Sequence, residues 1–180
     1  MKVVPTRLND CVIIEPKVFG DNRGFFLETF QAARYEELAG MTLPFVQDNH
    51  SRSTQGVLRG LHFQVNKPQG KLVRVVRGEV FDVVVDLRRG SPTFGLWEGV
   101  YLSEENKRQF WVPPGFAHGF VVVSKTADFE YKCTDYYDAS DEGAIVWNDA
   151  DLAIEWPEGL EMKLSEKDAN APSFREFCQS

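Results

Sequence analysis

His62 sits in the apolar stretch GVLRGLHFQ (Gly56 to Gln64) and His118 in WVPPGFAHGF (Trp111 to Phe120). They are two of only three histidines in the chain, and the third, His50, lies just before the first stretch. An imidazole titrates near neutrality and can remove a proton. Side chains alternate across a strand, so residues two apart share a face. In FEYKCTD, Tyr131 therefore shares its face with Phe129 and Cys133, and its hydroxyl points into an apolar interior. In KLVRVVR, Lys71 shares its face with Val73 and Val75, which places an ammonium at the mouth of that interior. His62 shares parity with Leu58, Gly60 and Gln64, whereas Arg59 has the opposite parity. Both enter one cavity only if Gly60 marks a bulge, as interior strand glycines often do.

A base, a phenol and an ammonium form a proton-transfer set. Removing a proton beside a ketone needs a base and a group that holds the enolate oxygen. Delivering a proton to the opposite face then inverts the carbon. Each residue alone reads as ordinary core structure; the combination is compatible with epimerisation next to a carbonyl. Between Ser51 and Val80 six bases stand against one acid, a local charge of +5 in a chain of net charge −7. That contrast speaks against a general nucleic-acid binder and for a local anion site, or else a solvated strand face.

The elements that must position these groups are mostly short strands. QAARYEELAG (31–40) has helix formers and a terminal glycine and predicts one early helix. Nearly everything from Pro44 to Pro157 reads as strands with turn punctuation, and the tail LSEKDANAPSFREF returns to loop and helix. No repeat or linker offers a boundary, so one domain over residues 1–180 is expected. The N-terminus lacks an apolar leader and no run approaches a membrane span. Three separated cysteines without C-x-x-C predict reduced thiols in the cytoplasm. The expected fold is mainly β, a jelly-roll barrel with a few short helices.

PPGFAHGF fits the P-x-G-x-x-H pattern of the second cupin motif, which makes a cupin-type jelly roll the natural architecture. A metal cupin would also offer a His-x-His pair and a glutamate. Here Gln64 stands where the second imidazole would sit, and Lys71 occupies the spacing before Gly78 at which the glutamate is usual. An ammonium repels a cation, so no metal and no cofactor is expected.

Nearly the whole chain resembles the dTDP-4-dehydrorhamnose 3,5-epimerase family, cupin-fold enzymes of dTDP-L-rhamnose synthesis. The resemblance runs in order through FGDNRGFFLETF, FVQDNHSRS, GVLRGLHFQ, QGKLVRVVRGEVFDVVVDLR, SPTFG, WVPPGFAHGF, YKCTDYY, WND and LSEKDANAP. It implies a cofactor-independent epimerisation at carbons 3 and 5 of dTDP-4-keto-6-deoxy-D-glucose. His62 is similar to the family's base, Asp168 to the carboxylate that orients it (with Asp82 the second choice), and Tyr131 to the acid on the opposite face. Lys71, Arg59 and His118 match positions lining the sugar and its carbonyl. Arg23, Glu28, Gln47, Asp48 and Asn49 match nucleotide- and sugar-contacting positions, with Arg23 a candidate for the diphosphate. Glu142 and Lys167 match further ligand contacts, and Tyr137 matches the aromatic that stacks on thymine. The resemblance also implies a homodimer whose N-terminal strands contribute to the partner's sheet. Three alternatives stay open: an epimerase acting at carbon 3 only, a metal-dependent cupin isomerase or oxygenase, and a non-catalytic cupin that binds sugar nucleotides.

Overall fold

The computed structural model describes residues 1–179; Ser180, the last residue of the expected domain, lies outside the described residues. Among the described residues thirteen strands carry most of the order. They are β1 (Lys2–Pro5), β2 (Val12–Glu15), β3 (Val18–Asp21), β4 (Gly24–Leu27), β5 (Gln47–Thr54), β6 (Leu58–Gln64) and β7 (Lys71–Arg77), followed by β8 (Glu79–Asp86), β9 (Trp97–Ser103), β10 (Gln109–Val112), β11 (Phe116–Val122), β12 (Thr126–Cys133) and β13 (Glu142–Ala144). Three helices are short: α1 (Ala32–Ala39), α2 (Glu166–Ala169) and α3 (Phe174–Gln179). The predicted early helix is α1, with Gln31 capping its start and Gly40 in the left-handed conformation at its end.

The strands form a six-stranded sheet in the order β1-β2-β10-β7-β12-β5 and a five-stranded sheet in the order β13-β6-β11-β8-β9. All pairings between named strands within them are antiparallel. The sheets face each other as a jelly-roll barrel. Alternation explains the core: Val73, Val75, Phe110 and Phe129 from the first sheet meet Val80, Val84, Val100 and Phe120 from the second. Each such side chain contributes roughly 1.5–3 kcal/mol on full burial. Phe120 and Phe129 stack across the gap with centroids 4.2 Å apart.

The far face of the five-stranded sheet is also covered, by Trp147, Trp156, Phe174 and Phe177 from the C-terminal segments. That cover explains why β8 and β11 are apolar on both faces. On the six-stranded sheet, Tyr35 of α1 packs over Ile14, Leu72 and Trp111. Strands β3 and β4 form a separate two-stranded hairpin that joins neither sheet. Cys11, Cys133 and Cys178 are free thiols. Among the described residues no helix is long and apolar enough to cross a membrane.

Candidate active site

Strand β6 carries both Arg59 and His62 to one cavity because its register slips by one residue. His118 pairs with His62 and Phe120 with Arg59, so two steps along β11 match three along β6. The extra residue falls at Gly60–Leu61, where the peptide bond is cis and Gly60 has φ +125°. A side chain at Gly60 would approach the Gly119 Cα to 2.6 Å, so the two strands close on each other only as glycines. The bulge resolves the parity conflict read from the sequence: Arg59 and His62 line the same cavity, of about 690 Å3.

The carboxylate beside His62 arrives from the far end of the chain. Val57 and Lys163 form a parallel bridge. Gly56 makes it possible, because at φ +82° a Cβ there would drive into the Glu161 carbonyl oxygen. The chain then enters α2, whose cap Ser165 accepts the Asp168 N–H at 3.1 Å. Asp168 is 4% exposed. Its Oδ1 lies 2.6 Å from His62 Nε2, and its Oδ2 accepts the Gly60 N–H at 3.3 Å. A carboxylate on Nε2 fixes the tautomer with the proton on that nitrogen, and so leaves Nδ1 as the basic atom.

The facing sheet supplies the phenol and the ammonium. Tyr131 lines the cavity from β12, as the alternation predicts, and burial pushes its phenol above the usual tyrosine range. Such a hydroxyl stays protonated at neutral pH. Lys71 enters from β7, its ammonium 5.9 Å from the centre of the Tyr131 ring. Burial holds that ammonium below the usual lysine range, although Cys133, Asp82 and Glu142 oppose the shift.

A second imidazole–carboxylate pair lies deeper. His118 Nε2 is 2.9 Å from Asp82 Oδ2. The sequence made Asp82 the second choice for orienting His62; the structure gives it to His118. Burial pushes the Asp82 carboxyl above its usual range against the pull of His118 and Lys71. Its other oxygen has no hydrogen-bond partner among the described residues. The signal was present in the sequence as a lone acid inside the apolar run VFDVVV.

At the cavity mouth, Arg59 Nε donates to Ser53 Oγ at 3.1 Å. Glu142 Oε1 lies 3.9 Å from His62 Nε2 and 2.8 Å from Lys167 Nζ. Burial opposes ionisation of Glu142, yet the hydrogen bonds from Lys167 and Tyr137 hold it below the usual carboxylate range. Tyr137 donates to Glu142 at 2.5 Å, and that bond raises its phenol. Gln47, Asn49 and Tyr137 line an adjoining recess of about 220 Å3 that shares His62, Lys71 and Tyr131 with the main cavity.

Three of the expected residues stand apart from this cluster. Asp48 alternates to the outer face of β5 and pairs there with Lys132 at 3.0 Å. Arg23 lies at the hairpin tip, paired with Asp21 at 2.5 Å. Glu28, just after the hairpin, pairs with Arg34. Among the described residues no three His, Cys, Asp or Glu side chains converge as a metal ion would require.

The fold and the site define a cupin-type barrel whose cavity is lined by the imidazoles of His62 and His118, the Tyr131 phenol, the Lys71 ammonium and the Arg59 guanidinium. The sequence pattern of the dTDP-4-dehydrorhamnose 3,5-epimerases matches residues 5–176, and the chain belongs to that family. It is 59% identical to the dTDP-4-dehydrorhamnose 3,5-epimerase of Salmonella typhimurium, over 96% of this chain and 94% of that protein. It is 57% identical to the enzyme of the same name from Pseudomonas aeruginosa, over 97% and 96%. Among solved structures it resembles the dTDP-6-deoxy-D-glucose-3,5-epimerase of Legionella pneumophila in complex with dTDP-4-keto-L-rhamnose. There the identity is 61% and the TM-score 0.95, covering 97% of this chain and 93% of that one. A 3'-monoepimerase of Streptomyces bikiniensis in complex with dTDP-quinovose shares the fold at 32% identity and TM-score 0.91, covering 98% and 89%.

Proposed function

We propose that this chain epimerises dTDP-4-keto-6-deoxy-D-glucose at carbons 3 and 5, giving dTDP-4-keto-L-rhamnose without a cofactor. The observation that carries the reading is the placement of His62 on one sheet and Tyr131 on the facing sheet, with one cavity between them. A sugar ring lying there has a base on one face and an acid on the other, which is what inversion requires.

His62 Nδ1 removes the proton from carbon 3, and the electron pair passes into the carbonyl at carbon 4. Lys71, with His118 beside it, stabilises the oxygen as charge develops. Tyr131 then protonates carbon 3 from the other side; the imidazolium gives its proton to solvent and the phenolate takes one back, and the same steps follow at carbon 5. Asp168 orients His62 and stabilises the imidazolium. Each proton-transfer group is worth typically 10²–10⁴-fold in rate. Arg59, Gln47, Asn49, Glu142 and Lys167 hold the sugar and diphosphate, and Tyr137 carries the thymine. Asp48 touches ligand only through its backbone.

Arg23 and Glu28 act on the cavity of a second copy. The hairpin exposes Phe19, Phe25 and Phe26, and a lone two-stranded ribbon is marginal in water. Strand β5 is one of the two edges of the six-stranded sheet, β1 being the other, and its Gln47 and Asn49 line the recess. A homodimer in which each hairpin extends the partner's sheet along β5 covers both surfaces. The working unit is then a pair of single-domain chains (1–180) in the cytoplasm.

Proton exchange tests the chemistry. In deuterium oxide with dTDP-4-keto-6-deoxy-D-glucose, NMR should show deuterium entering carbons 3 and 5 with inversion at both. His62→Ala should slow this about 10³-fold or more while dTDP still binds. Label at carbon 3 alone would make the chain a 3-epimerase, and tight binding without exchange would leave a binding module.

A further inference from the structure

Gln64 is the residue that stands at a metal-ligand position of the cupin pattern and has so far been given no role. It lies two residues after His62 on β6 and is 6% exposed. Its side chain turns toward the segment after β12, which crosses from Thr134 to Asp141 without helix or strand. Such a segment must find partners for its backbone groups outside a regular ladder. Four consecutive residues find them on glutamine side chains. The Asp135 carbonyl accepts from Gln69 Nε2 at 2.8 Å, and the Tyr136 carbonyl from Gln64 Nε2 at 3.3 Å. The Tyr137 N–H donates to Gln47 Oε1 at 3.0 Å, and the Asp138 N–H to Gln64 Oε1 at 2.7 Å.

Gln64 thus holds the residue before Tyr137 and the residue after it. The task needs an acceptor and donors on one short side chain, which an amide offers. Its Nε2 also donates to the Lys67 carbonyl at 2.8 Å, tying the β6–β7 loop to the same point. A neutral imidazole, with one donor and one acceptor, would leave one of these carbonyls unbonded. Tyr137 itself is 54% exposed, and its hydroxyl is tethered to Glu142. Its own N–H, the carbonyl before it and the N–H after it are held by glutamine side chains, while its ring lines the recess.

We infer that Gln64, aided by Gln69 and Gln47, is a positioning clamp that presets the Tyr137 ring as a platform for the pyrimidine base. The inference rests on the reading of Tyr137 as the residue that stacks on thymine. A platform ordered before the ligand arrives spares the ordering cost at binding, so the clamp acts on affinity for the nucleotide half. The sugar chemistry lies at His62 and Tyr131, and the clamp touches neither.

The test compares dTDP with inorganic pyrophosphate as probes by calorimetry, on the full chain. Gln64→Ala should weaken dTDP binding about tenfold and leave pyrophosphate binding within about twofold. In turnover, KM for the dTDP-sugar should rise by the larger factor and kcat should move far less. Gln64→Met, which keeps the volume, carries the same test should the alanine variant fold poorly. In a Tyr137→Ala background, adding Gln64→Ala should cost nothing further, because the platform is already gone. Equal weakening of dTDP and pyrophosphate, or a full tenfold loss in that background, would overturn the clamp. So would wild-type dTDP affinity in Gln64→Ala and Gln64→Met while Tyr137→Ala binds weakly. Wild-type dTDP affinity in Tyr137→Ala would instead bring down the stacking assignment, and the clamp with it.

Discussion

Lys71 carries a charge that its surroundings disfavour. It shares a face with the fully buried Val73, and burial lowers its affinity for a proton. The folded chain therefore gives up that proton at a lower pH than the unfolded chain, and below that pH the ammonium costs stability. Such a cost is reasonable where the charge meets a developing oxyanion. Lys71→Met should accordingly raise Tm, by about 2–4 °C for each kcal/mol relieved, and lower kcat by about 10²–10³-fold. The same residue sets a pH signature. As pH rises, neutral amine appears below the ordinary lysine range, so the alkaline limb of kcat should fall there. In Lys71→Arg, whose guanidinium keeps its proton, the limb should move upward. A pH–rate profile beside a melting curve checks both; an unchanged limb in Lys71→Arg would remove Lys71 from the oxyanion role.

The elements show what can be read in advance and what cannot. Tyr131 and Lys71 were legible because alternation is local: given a strand, neighbours two apart fix the face, and Phe129 and Val73 fixed it. The helix at α1 was legible through Gly40 and its helix formers. The bulge at Gly60 was reachable only as a condition, that Arg59 and His62 share a cavity. The contact of Asp168 with His62 spans 106 positions and depends on the Val57–Lys163 bridge, a backbone pairing that leaves no side-chain pattern. Only the family likeness pointed to it. That bridge makes its own prediction. Gly56→Ala should push the Glu161–Lys163 segment outward and draw Asp168 from His62, costing on the order of 10²-fold in kcat and ~2 kcal/mol or more in stability. Gly90 also has positive φ, at +93°, but open space around it. Gly90→Ala therefore carries the conformational strain without the displacement, and its kcat should stay near wild type. Steady-state kinetics and thermal melts on the two variants separate strain from misplacement; equal kcat values would sink the bridge argument.

At the scale of the whole molecule, the proposed homodimer makes a prediction about Arg23. The Arg23 side chain is 85% exposed at the hairpin tip, beside apolar surface that a partner would bury. If the hairpin completes a second copy's cavity, each active site draws on two chains, His62 from one and Arg23 from the other. In an isologous dimer the exchange is mutual. His62→Ala and Arg23→Ala homodimers are then both impaired, for different reasons. Mixing them under conditions where subunits exchange makes heterodimers with one doubly damaged cavity and one intact cavity. With random reassortment, half the dimers are mixed and half of their sites are whole, so activity per subunit should recover to about one quarter of wild type. Were Arg23 to serve its own chain's cavity, every site in the mixture would still lack one group, and activity would remain the average of the two variants. Assays before and after exchange, with light scattering to establish the dimer, decide between shared and self-contained sites.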